Sequence, residues 1–336
     1  MTKTKYYSPK LLFSHNAIIN IVMSNRGGGK TYSGKDFMVE NLKKNGKQSV
    51  YIRRTVEELK KAKKTFFNSI SKKYPNDEFK IDGNVGYING EVLVYFIALS
   101  TSITDKSSEL PDVTFIMFDE YIIPMKSYAR YIPGEAFMLL ELIFTIGRDR
   151  NDYKVYICGN AISYVNPLFT YFNIEPDSNK KFQKFKDNMI CLELYTNKLY
   201  QDEIMKTRFG KLIEGTDYCD YAVYNNVYED TEDFIMPRNG KEYRFISSFK
   251  TNGYEIGVWL DIDKNIFYCD NKVDPSSKNK YTLRNTESEK GYKNISSDRS
   301  TSWRVRDVKT RFINGELYFI NQEVKRFFQN EVIRFI

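Results

Sequence analysis

A glycine-rich segment near the N-terminus contains the residues of a phosphate-binding loop. Residues 24–31 read SNRGGGKT, which matches the pattern GxxxxGK[ST] except that serine replaces the first glycine. Glycines let backbone N–H groups close around phosphates, and the N-terminus of the following helix adds partial positive charge. Lys30 is predicted to bridge the β- and γ-phosphates of ATP, and Thr31 to ligate Mg²⁺. The predicted nucleotide contacts are Ser24, Asn25, Arg26, Gly27, Gly28, Gly29, Lys30 and Thr31.

A pair of acidic residues follows an apolar run further along the chain. Residues 115–118 (FIMF) lead into Asp119 and Glu120, and ligands of open α/β sheets bind at the carboxyl ends of strands. Asp119 is predicted to hold Mg²⁺ through water, and Glu120 to polarise the water that attacks the γ-phosphate. A carboxylate directly after the metal-binding aspartate is typical of ATP hydrolases. The alternative is a strand that merely ends in exposed acids.

Two more polar side chains are candidates for contact with the γ-phosphate. Asn160 ends the apolar run YICGN and is predicted to sense the γ-phosphate from the strand beside Asp119. Arg26 lies inside the glycine-rich loop and is predicted to reach Glu120 or the γ-phosphate as a switch. The alternatives are an asparagine that caps a loop and an arginine that faces solvent.

The segment GRDR, residues 147–150, is a candidate source of an arginine for a neighbouring subunit. A guanidinium that reaches a neighbour's γ-phosphate stabilises the charge of the transition state, an effect of roughly 10³–10⁵ in rate. We favour Arg148 over Arg150 for this trans-acting role. The alternative is a surface salt bridge with Asp149 or Asp152.

The elements that must position these residues follow from the apolar pattern. Near-continuous apolar runs predict strands at 17–23, 48–53, 92–99, 113–118, 153–158 and 189–195, and helices are predicted at 33–44, 55–71 and 135–146. This alternation predicts an α/β P-loop ATPase domain over 1–197, with a mainly parallel sheet and helices on both faces. The phosphate loop and the acidic pair are far enough apart in the chain to leave room for strands between them. This separation favours the ASCE division of P-loop ATPases, the ring-forming and motor enzymes in which an additional strand lies between the strand of the phosphate loop and the strand of the acidic pair. A linker subdomain is predicted over 198–230, and a β-rich α+β domain over 231–336 with a hairpin turning at 263–265.

Composition narrows the class of protein further. The chain has 336 residues, a net charge of +8, four cysteines and one histidine. No cysteine pair has metal-ligand spacing and one histidine excludes HExxH chemistry, so a zinc hydrolase is excluded. No apolar run approaches the length of a membrane span, and the N-terminus lacks a signal-peptide pattern, so we expect a cytosolic protein with no membrane partner.

The order SNRGGGKT, FIMFDE, GRDR and CGN, in a chain of this size, resembles the DNA-packaging ATPases of short-tailed phages of the phi29 type, which are small relatives of the terminase large subunits. An arginine inside the phosphate loop, here Arg26, is common in that group. The resemblance implies ATP-driven translocation of double-stranded DNA into a procapsid. It also implies a C-terminal RNase H-like domain that has lost its catalytic acids. Asp261 and Asp263 are expected to share one strand face at the flank of a hairpin, without further carboxylate partners, so no nuclease activity is expected.

The same resemblance implies a set of partners. The expected assembly is a homomeric ring, most often of five subunits, docked on the capsid portal. A structural packaging RNA joins the complex in some members of the group. The expected location is the host cytoplasm, transiently on the procapsid vertex.

Packaging must ignore DNA sequence, so the contacts are expected to go from basic side chains to phosphates. Four lysines on the predicted helix 55–71 and two lysines near the acidic pair are the candidates. These are Lys60, Lys61, Lys63, Lys64, Lys106 and Lys126.

Two other readings of the sequence remain open. The protein could be a different ring translocase or helicase of the same ATPase division, or a nucleotide-dependent binding switch with little turnover. The presence of Glu120 argues against the switch.

Overall fold

The structure, a computed structural model, describes most of the chain. The described residues are 6–102, 110–123, 131–132, 134–160, 164, 166–224, 234–236, 238, 242–251, 253–284, 286–287, 289–295, 303–333 and 335–336. Lys106 and Lys126 lie outside them. The chain divides into two compact units, Met1–Glu229 and Asp230–Ile336. Residues 198–224, within the expected linker subdomain, are counted with the first unit, and the predicted three-part division stays a prediction.

The first unit is built on a nine-stranded sheet. Its strands are β1 Ile19–Ser24, β2 Gln48–Arg53, β3 Phe79–Asp82, β4 Val85–Ile88, β5 Glu91–Ala98, β6 Val113–Asp119, β7 Lys154–Asn160, β8 Phe182–Phe185 and β9 Ile190–Tyr195. The strand order is β3-β4-β5-β2-β6-β7-β1-β9-β8. The six central strands run parallel, and the antiparallel strands β3, β4 and β8 lie at the two edges. The mainly parallel sheet predicted from the apolar runs is therefore confirmed.

Strand β7 is the additional strand between the phosphate loop and the acidic pair. It pairs with β1, which leads into the loop, and with β6, which ends at Asp119. The strands that lie between the motifs in sequence are the two predicted ones, now β2 and β5, and the short strands β3 and β4. All four continue the sheet on the other side of β6. This is the strand order of the ASCE division.

The helices described in the first unit are α1 Lys10–Phe13, α2 Lys30–Asn45, α3 Val56–Lys64, α4 Glu135–Gly147, α5 Pro167–Phe172, α6 Lys198–Met205, α7 Arg208–Ile213 and α8 Asp217–Ala222. Helices α1 to α5 pack on the two faces of the sheet, whereas α6, α7 and α8 form a separate apolar cluster around Ile213. Alternate residues of the central strands point to opposite faces, as in any strand. One set packs with α4 and α5, and the other with α2 and α3, so the core has two layers.

Helix α3 is shorter than predicted. Its N-terminus has the predicted capping box, in which the Thr55 hydroxyl accepts from the Glu58 N–H. The predicted helix 55–71 is wrong beyond Lys64, where the chain continues in turns. The turns bury the ring of Phe66 edge-on against Tyr51, which lies in the core. Tertiary packing of one aromatic ring therefore ends the helix.

The second unit contains a six-stranded sheet and two helices. The strands are β10 Tyr243–Thr251, β11 Tyr254–Asp261, β12 Ile266–Asp270, β13 Lys280–Thr282, β14 Lys293–Asn294 and β15 Leu317–Phe319, in the order β14-β13-β10-β11-β12-β15. Helices α9 Trp303–Ile313 and α10 Gln322–Phe327 pack on it. Strands β10–β12 form an antiparallel meander, and β13 and β14 extend it in parallel beside β10. That is the strand arrangement of an RNase H-like sheet.

The predicted hairpin between β11 and β12 is present, but one expectation about its acids is wrong. Asp261 is the last residue of β11, whereas Asp263 lies in the turn rather than on the same strand face. The buried Asp261 carboxylate accepts a 3.0 Å hydrogen bond from the N–H of Lys264 and so shapes the turn. Within the described ranges, no helix is both long and apolar enough to cross a membrane.

Candidate active site

The phosphate loop joins β1 to α2, as predicted. Gly27 and Gly29 have φ angles of 73° and 94°, values that side chains with a Cβ rarely adopt. A Cβ on Gly27 would lie 1.9 Å from the hydroxyl oxygen of Tyr200, so any larger residue there would displace the Tyr200 side chain. Gly29 is the N-cap residue of α2, which directs the free N–H groups of the helix into the loop.

Lys30 is buried inside this loop. Its ammonium donates to Ser24 Oγ at 2.8 Å, to the Asn25 carbonyl at 2.8 Å and to Asn160 Oδ1 at 3.3 Å. Burial lowers the pKa of Lys30 to about 8, partly offset by the negative charge of Asp119. Serine in place of the first glycine therefore supplies a hydroxyl partner for the lysine. Asn160 therefore lies at the phosphate loop, on the strand beside Asp119, as predicted. Its contact with a γ-phosphate stays a prediction.

Asp119 lies beside the first turn of α2. Thr31 Oγ1 donates to Asp119 Oδ1 at 2.9 Å, and the Tyr51 hydroxyl donates to Asp119 Oδ2 at 2.8 Å. The thiol of Cys158 also donates to Oδ1, at 3.0 Å. Burial, and then the Asp119 charge, raise the pKa of this thiol, so it stays a donor. A hydroxyl and a carboxylate are the hard oxygen ligands that suit Mg²⁺ beside phosphates, so the residues present fit this ion.

Glu120 follows Asp119 in a left-handed backbone conformation. Its φ is 58°, and its N–H donates to the Cys158 carbonyl at 2.9 Å. The side chain is 61% exposed and ion-pairs with Arg53, with 2.5 Å between NH2 and Oε2. The same guanidinium lies 3.5 Å from Asp119 Oδ2. Glu120 is thus exposed at the end of β6 and held by Arg53, and its role in polarising water stays a prediction.

Arg53 is a site residue that the sequence analysis missed. It ends β2, which was identified only as a strand, and it contacts the acidic pair because β2 lies next to β6. Arg26, predicted to reach Glu120, has an exposed side chain in the loop. Its role as a switch stays a prediction.

The two arginines of the GRDR segment differ in their surroundings. Arg148 is the exposed C-cap residue of α4, with φ at 47°. Arg150 is bound within its own unit: it donates to the carbonyls of Pro111 at 2.6 Å, Val113 at 2.8 Å and Ile146 at 2.9 Å. It also ion-pairs with Asp152 at 3.5 Å. Arg148 is exposed, as an arginine that acts on another subunit must be, and its trans-acting role stays a prediction.

The lysines of α3 are not equivalent. Lys60, Lys61 and Lys64 are exposed. The Lys63 ammonium instead bonds the Gly83 carbonyl at 3.0 Å and Asn84 Oδ1 at 2.8 Å, in the turn between β3 and β4. Lys63 is therefore engaged in holding that turn.

Comparisons with known proteins agree on one family. A family model of the podovirus DNA encapsidation protein (Gp16) matches residues 1–335. The chain is 35% identical over 325 residues to the DNA packaging protein of Bacillus phage phi29, covering 97% of this chain and 96% of the relative. It is 37% identical over 311 residues to the DNA packaging protein of Bacillus phage B103, covering 93% and 95%.

Solved structures give the same result. The chain matches a chain of the phi29 viral genome packaging motor assembly with a TM-score of 0.69 and 34% identity, over 99% of both chains. It matches the crystal structure of the N-terminal domain of the phi29 DNA packaging ATPase with a TM-score of 0.53 and 34% identity, over 58% of this chain and 98% of that one. The protein therefore belongs to the podovirus DNA encapsidation (Gp16) family and has the fold of its P-loop ATPases.

Proposed function

We propose that this protein is the ATP-hydrolysing subunit of a motor that translocates double-stranded viral DNA into a procapsid through the portal. The observation that carries the proposal is the contact between Thr31 and Asp119, 2.9 Å between their oxygens, with Glu120 next in the chain. This contact links the phosphate loop after β1 to the acidic pair at the end of β6, and the additional strand β7 lies between those two strands. The similarity to phage DNA packaging proteins over 97% of the chain supports the substrate.

The proposed chemistry assigns one task to each residue. Backbone N–H groups of the loop bind the phosphates, and Lys30 exchanges its present partners for phosphate oxygens. Thr31, and Asp119 through water, would hold Mg²⁺, which would neutralise charge on the phosphates. Glu120 orients and polarises the attacking water, while Asn160 and Arg26 report the state of the γ-phosphate. Arg53 keeps the Glu120 carboxylate beside the site.

We propose that the motor is a homomeric ring, with five subunits the expected number, in which Arg148 acts on the ATP of the neighbouring subunit. The exposure of Arg148 at the end of α4 supports this role. The ring docks on the capsid portal, and a structural packaging RNA is a further candidate partner. Its place of action is the host cytoplasm, transiently at the procapsid vertex.

We further propose that the second unit does not cleave DNA. Two-metal cleavage needs carboxylates around ions roughly 4 Å apart. Asp270 pairs across the sheet with Gly257, four residues from Asp261 on β11, which separates the two buried carboxylates by about 13 Å along the strand. Asp270 is also neutralised by Arg238 at 3.1 Å. Incubation of linear DNA with the protein and Mn²⁺ should leave the DNA intact, and cleavage products would contradict the proposal.

The proposed function is tested with three proteins: the wild type, Glu120→Gln and Glu91→Gln. Glu91 is exposed at the start of β5 and serves as the control for charge. ATP hydrolysis is measured with and without double-stranded DNA, and DNA filling is measured with procapsids that carry the portal. Wild type and Glu91→Gln should hydrolyse ATP and fill procapsids, whereas Glu120→Gln should bind ATP and do neither. DNA unwinding without packaging would favour a helicase, and no turnover in the wild type would favour a binding switch.

A further inference from the structure

Arg53, the last residue of β2, and Arg54, which follows it, hold the acidic turn in different ways. Arg53 pairs with carboxylates, as described above. Arg54 is only 2% exposed, and its guanidinium binds the main chain of the same turn. NH1 donates to the Glu120 carbonyl at 3.2 Å, and NH2 donates to the Tyr121 carbonyl at 2.6 Å. Arg54 therefore fixes the backbone of the residue whose side chain is proposed to activate water.

The guanidinium of Arg54 also binds Glu135, the first residue of α4, and its NH1 lies 4.0 Å from Glu58 Oε1. Nε donates to Oε2 at 2.7 Å and NH2 donates to Oε1 at 3.0 Å, which makes a bidentate pair. Glu135 is buried as well, and its Oε2 also accepts from the Ile132 N–H at 3.1 Å. Helix α4 has 13 residues and carries Arg148 at its other end, about 20 Å away. One guanidinium thus connects the Glu120 turn to the helix that presents the proposed trans-acting arginine.

Aromatic rings around Arg54 and hydrogen bonds to the Glu120 main chain restrict movement of the turn relative to α4. The guanidinium of Arg54 lies over the rings of Phe118, at 5.7 Å, and Tyr131, at 5.1 Å. Glu120 has a φ of 58°, which a residue other than glycine keeps only when its surroundings hold it. Its N–H is held by the Cys158 carbonyl and its carbonyl by Arg54. The turn and the start of α4 cannot move apart without leaving buried charges unpaired.

We propose that Arg54 is a positioning residue for ATP hydrolysis: it holds the Glu120 main chain and the N-terminus of α4 as one rigid piece. This inference rests on the proposed function. Arg54 is buried below the turn and binds only protein groups, so it acts through Glu120 and α4. Its loss should therefore reduce the rate of hydrolysis and leave ATP affinity unchanged.

The test is Arg54→Lys in the full-length protein. Lysine keeps the charge but cannot reproduce the planar fork that binds two carbonyls and both carboxylate oxygens. The catalytic constant for ATP and the dissociation constant of a non-hydrolysable ATP analogue are measured well below the unfolding temperature. We expect the catalytic constant to fall at least about tenfold, equivalent to about 1.4 kcal/mol, and the dissociation constant to stay within about twofold.

Arg311→Lys is the matched control. Arg311 also binds a backbone carbonyl, that of Asn265 at 2.9 Å, and a carboxylate, that of Glu316 at 2.9 Å, and it lies over the ring of Phe267 at 5.1 Å. It belongs to the second unit, so it reports what loss of a similar structural arginine does to hydrolysis. We expect its catalytic constant to match that of the wild type.

The outcomes separate this inference from the proposed function. A folded Arg54→Lys protein with the wild-type catalytic constant overturns the inference, and so does an equal loss of rate and affinity. If Arg54→Lys does not fold, the same two constants are measured for Glu135→Gln. Glutamine keeps the shape of the glutamate side chain but removes the charge that pairs with Arg54. Reduced rate with unchanged affinity supports the inference, and unchanged rate overturns it. A wild type without DNA-dependent hydrolysis refutes the proposed function instead.

Discussion

Thr31 Oγ1 donates a hydrogen bond to Asp119 Oδ1 although 88 residues separate them in the chain. The contact exists because β7 lies between β1 and β6 and brings the carboxyl ends of all three strands to one edge of the sheet. The Tyr51 hydroxyl and the Cys158 thiol also donate to this carboxylate, and the Arg53 guanidinium lies 3.5 Å from its Oδ2. Three neutral donors and one cation therefore already orient Asp119.

Replacement of Asp119 by asparagine should abolish Mg²⁺-dependent hydrolysis. Asparagine keeps the size of the side chain but removes the negative charge that holds the ion, so we expect a loss of about 100-fold or more in rate. The measurement is ATPase activity across a Mg²⁺ titration. Asp112→Asn is the control, because Asp112 is an exposed partner of Lys47 at 3.2 Å. Normal activity of Asp119→Asn at ordinary Mg²⁺ concentrations would contradict the metal assignment.

The pH dependence of stability should reveal the buried Glu193. Its carboxylate accepts from the Tyr7 hydroxyl at 2.7 Å and lies 3.5 Å from the Lys181 ammonium. Burial raises the pKa of Glu193 above its usual value, so ionisation costs more in the folded protein than in the unfolded chain. Its contribution to stability is complete below the unfolded pKa and is lost as pH rises through the folded pKa.

Glu193→Gln removes this titration. The difference in thermal midpoint between the variant and the wild type should move in favour of the variant, by a few degrees, as pH rises from about 4.5 to about 8. Glu91→Gln, at an exposed position, should show no such trend. A difference that stays constant with pH would show that Glu193 is not the group responsible.

Arg148→Ala and Arg150→Gln should affect different properties. Arg150 binds four backbone carbonyls in its own unit, so Arg150→Gln should lower the free energy of unfolding by about 1–3 kcal/mol. Arg148→Ala should reduce hydrolysis in the assembled ring by about 10³-fold. Thermal unfolding and ATPase activity of both variants are the measurements.

Mixing experiments then locate the action of Arg148. Subunits with Arg148→Ala are titrated into wild type on portal-bearing procapsids at constant total protein. If each arginine serves a neighbour, packaging should fall more steeply than the fraction of wild-type subunits. A decline in simple proportion to dilution would count against the trans-acting role.

Lys60, Lys61 and Lys64 should contribute to sequence-independent DNA binding. Each phosphate contact steepens the dependence of log affinity on log salt by about 0.9, so the triple glutamine variant should lower this slope by up to about three. The control is the triple glutamine variant of Lys180, Lys184 and Lys186, which are exposed at and beside β8 on the opposite edge of the sheet. Equal slopes for the two variants would refute the assignment.

The local part of the site was predictable from sequence, because strand, glycine-rich loop and helix are consecutive. Asp119 and Glu120 were recognisable for the same reason, as acids at the end of an apolar strand. Arg53 and Arg54 were not, since their contacts depend on which strand becomes the neighbour of β6. The identity of the additional strand, β7, was likewise set by packing across the sheet rather than by the order of strands in the chain.

Other differences have the same origin. The capping box at Thr55 fixed the start of α3, but burial of Phe66 decided where it ended. The hairpin predicted to turn at 263–265 contains Asp263 in its turn, so Asp263 does not share the strand face of Asp261. At α3, a local pattern set the start of the element and a long-range contact set its end.

The left-handed backbone at Glu120 lowers the stability of the fold at the residue proposed to activate water. Such a conformation costs a side-chain-bearing residue about 1 kcal/mol or more, and glycine would be spared that cost. The ion pair with Arg53 offsets little of this free energy cost, because the Glu120 side chain is exposed. Selection for thermal stability alone would therefore favour glycine at position 120. A protein with that glycine would lack the carboxylate proposed to activate water.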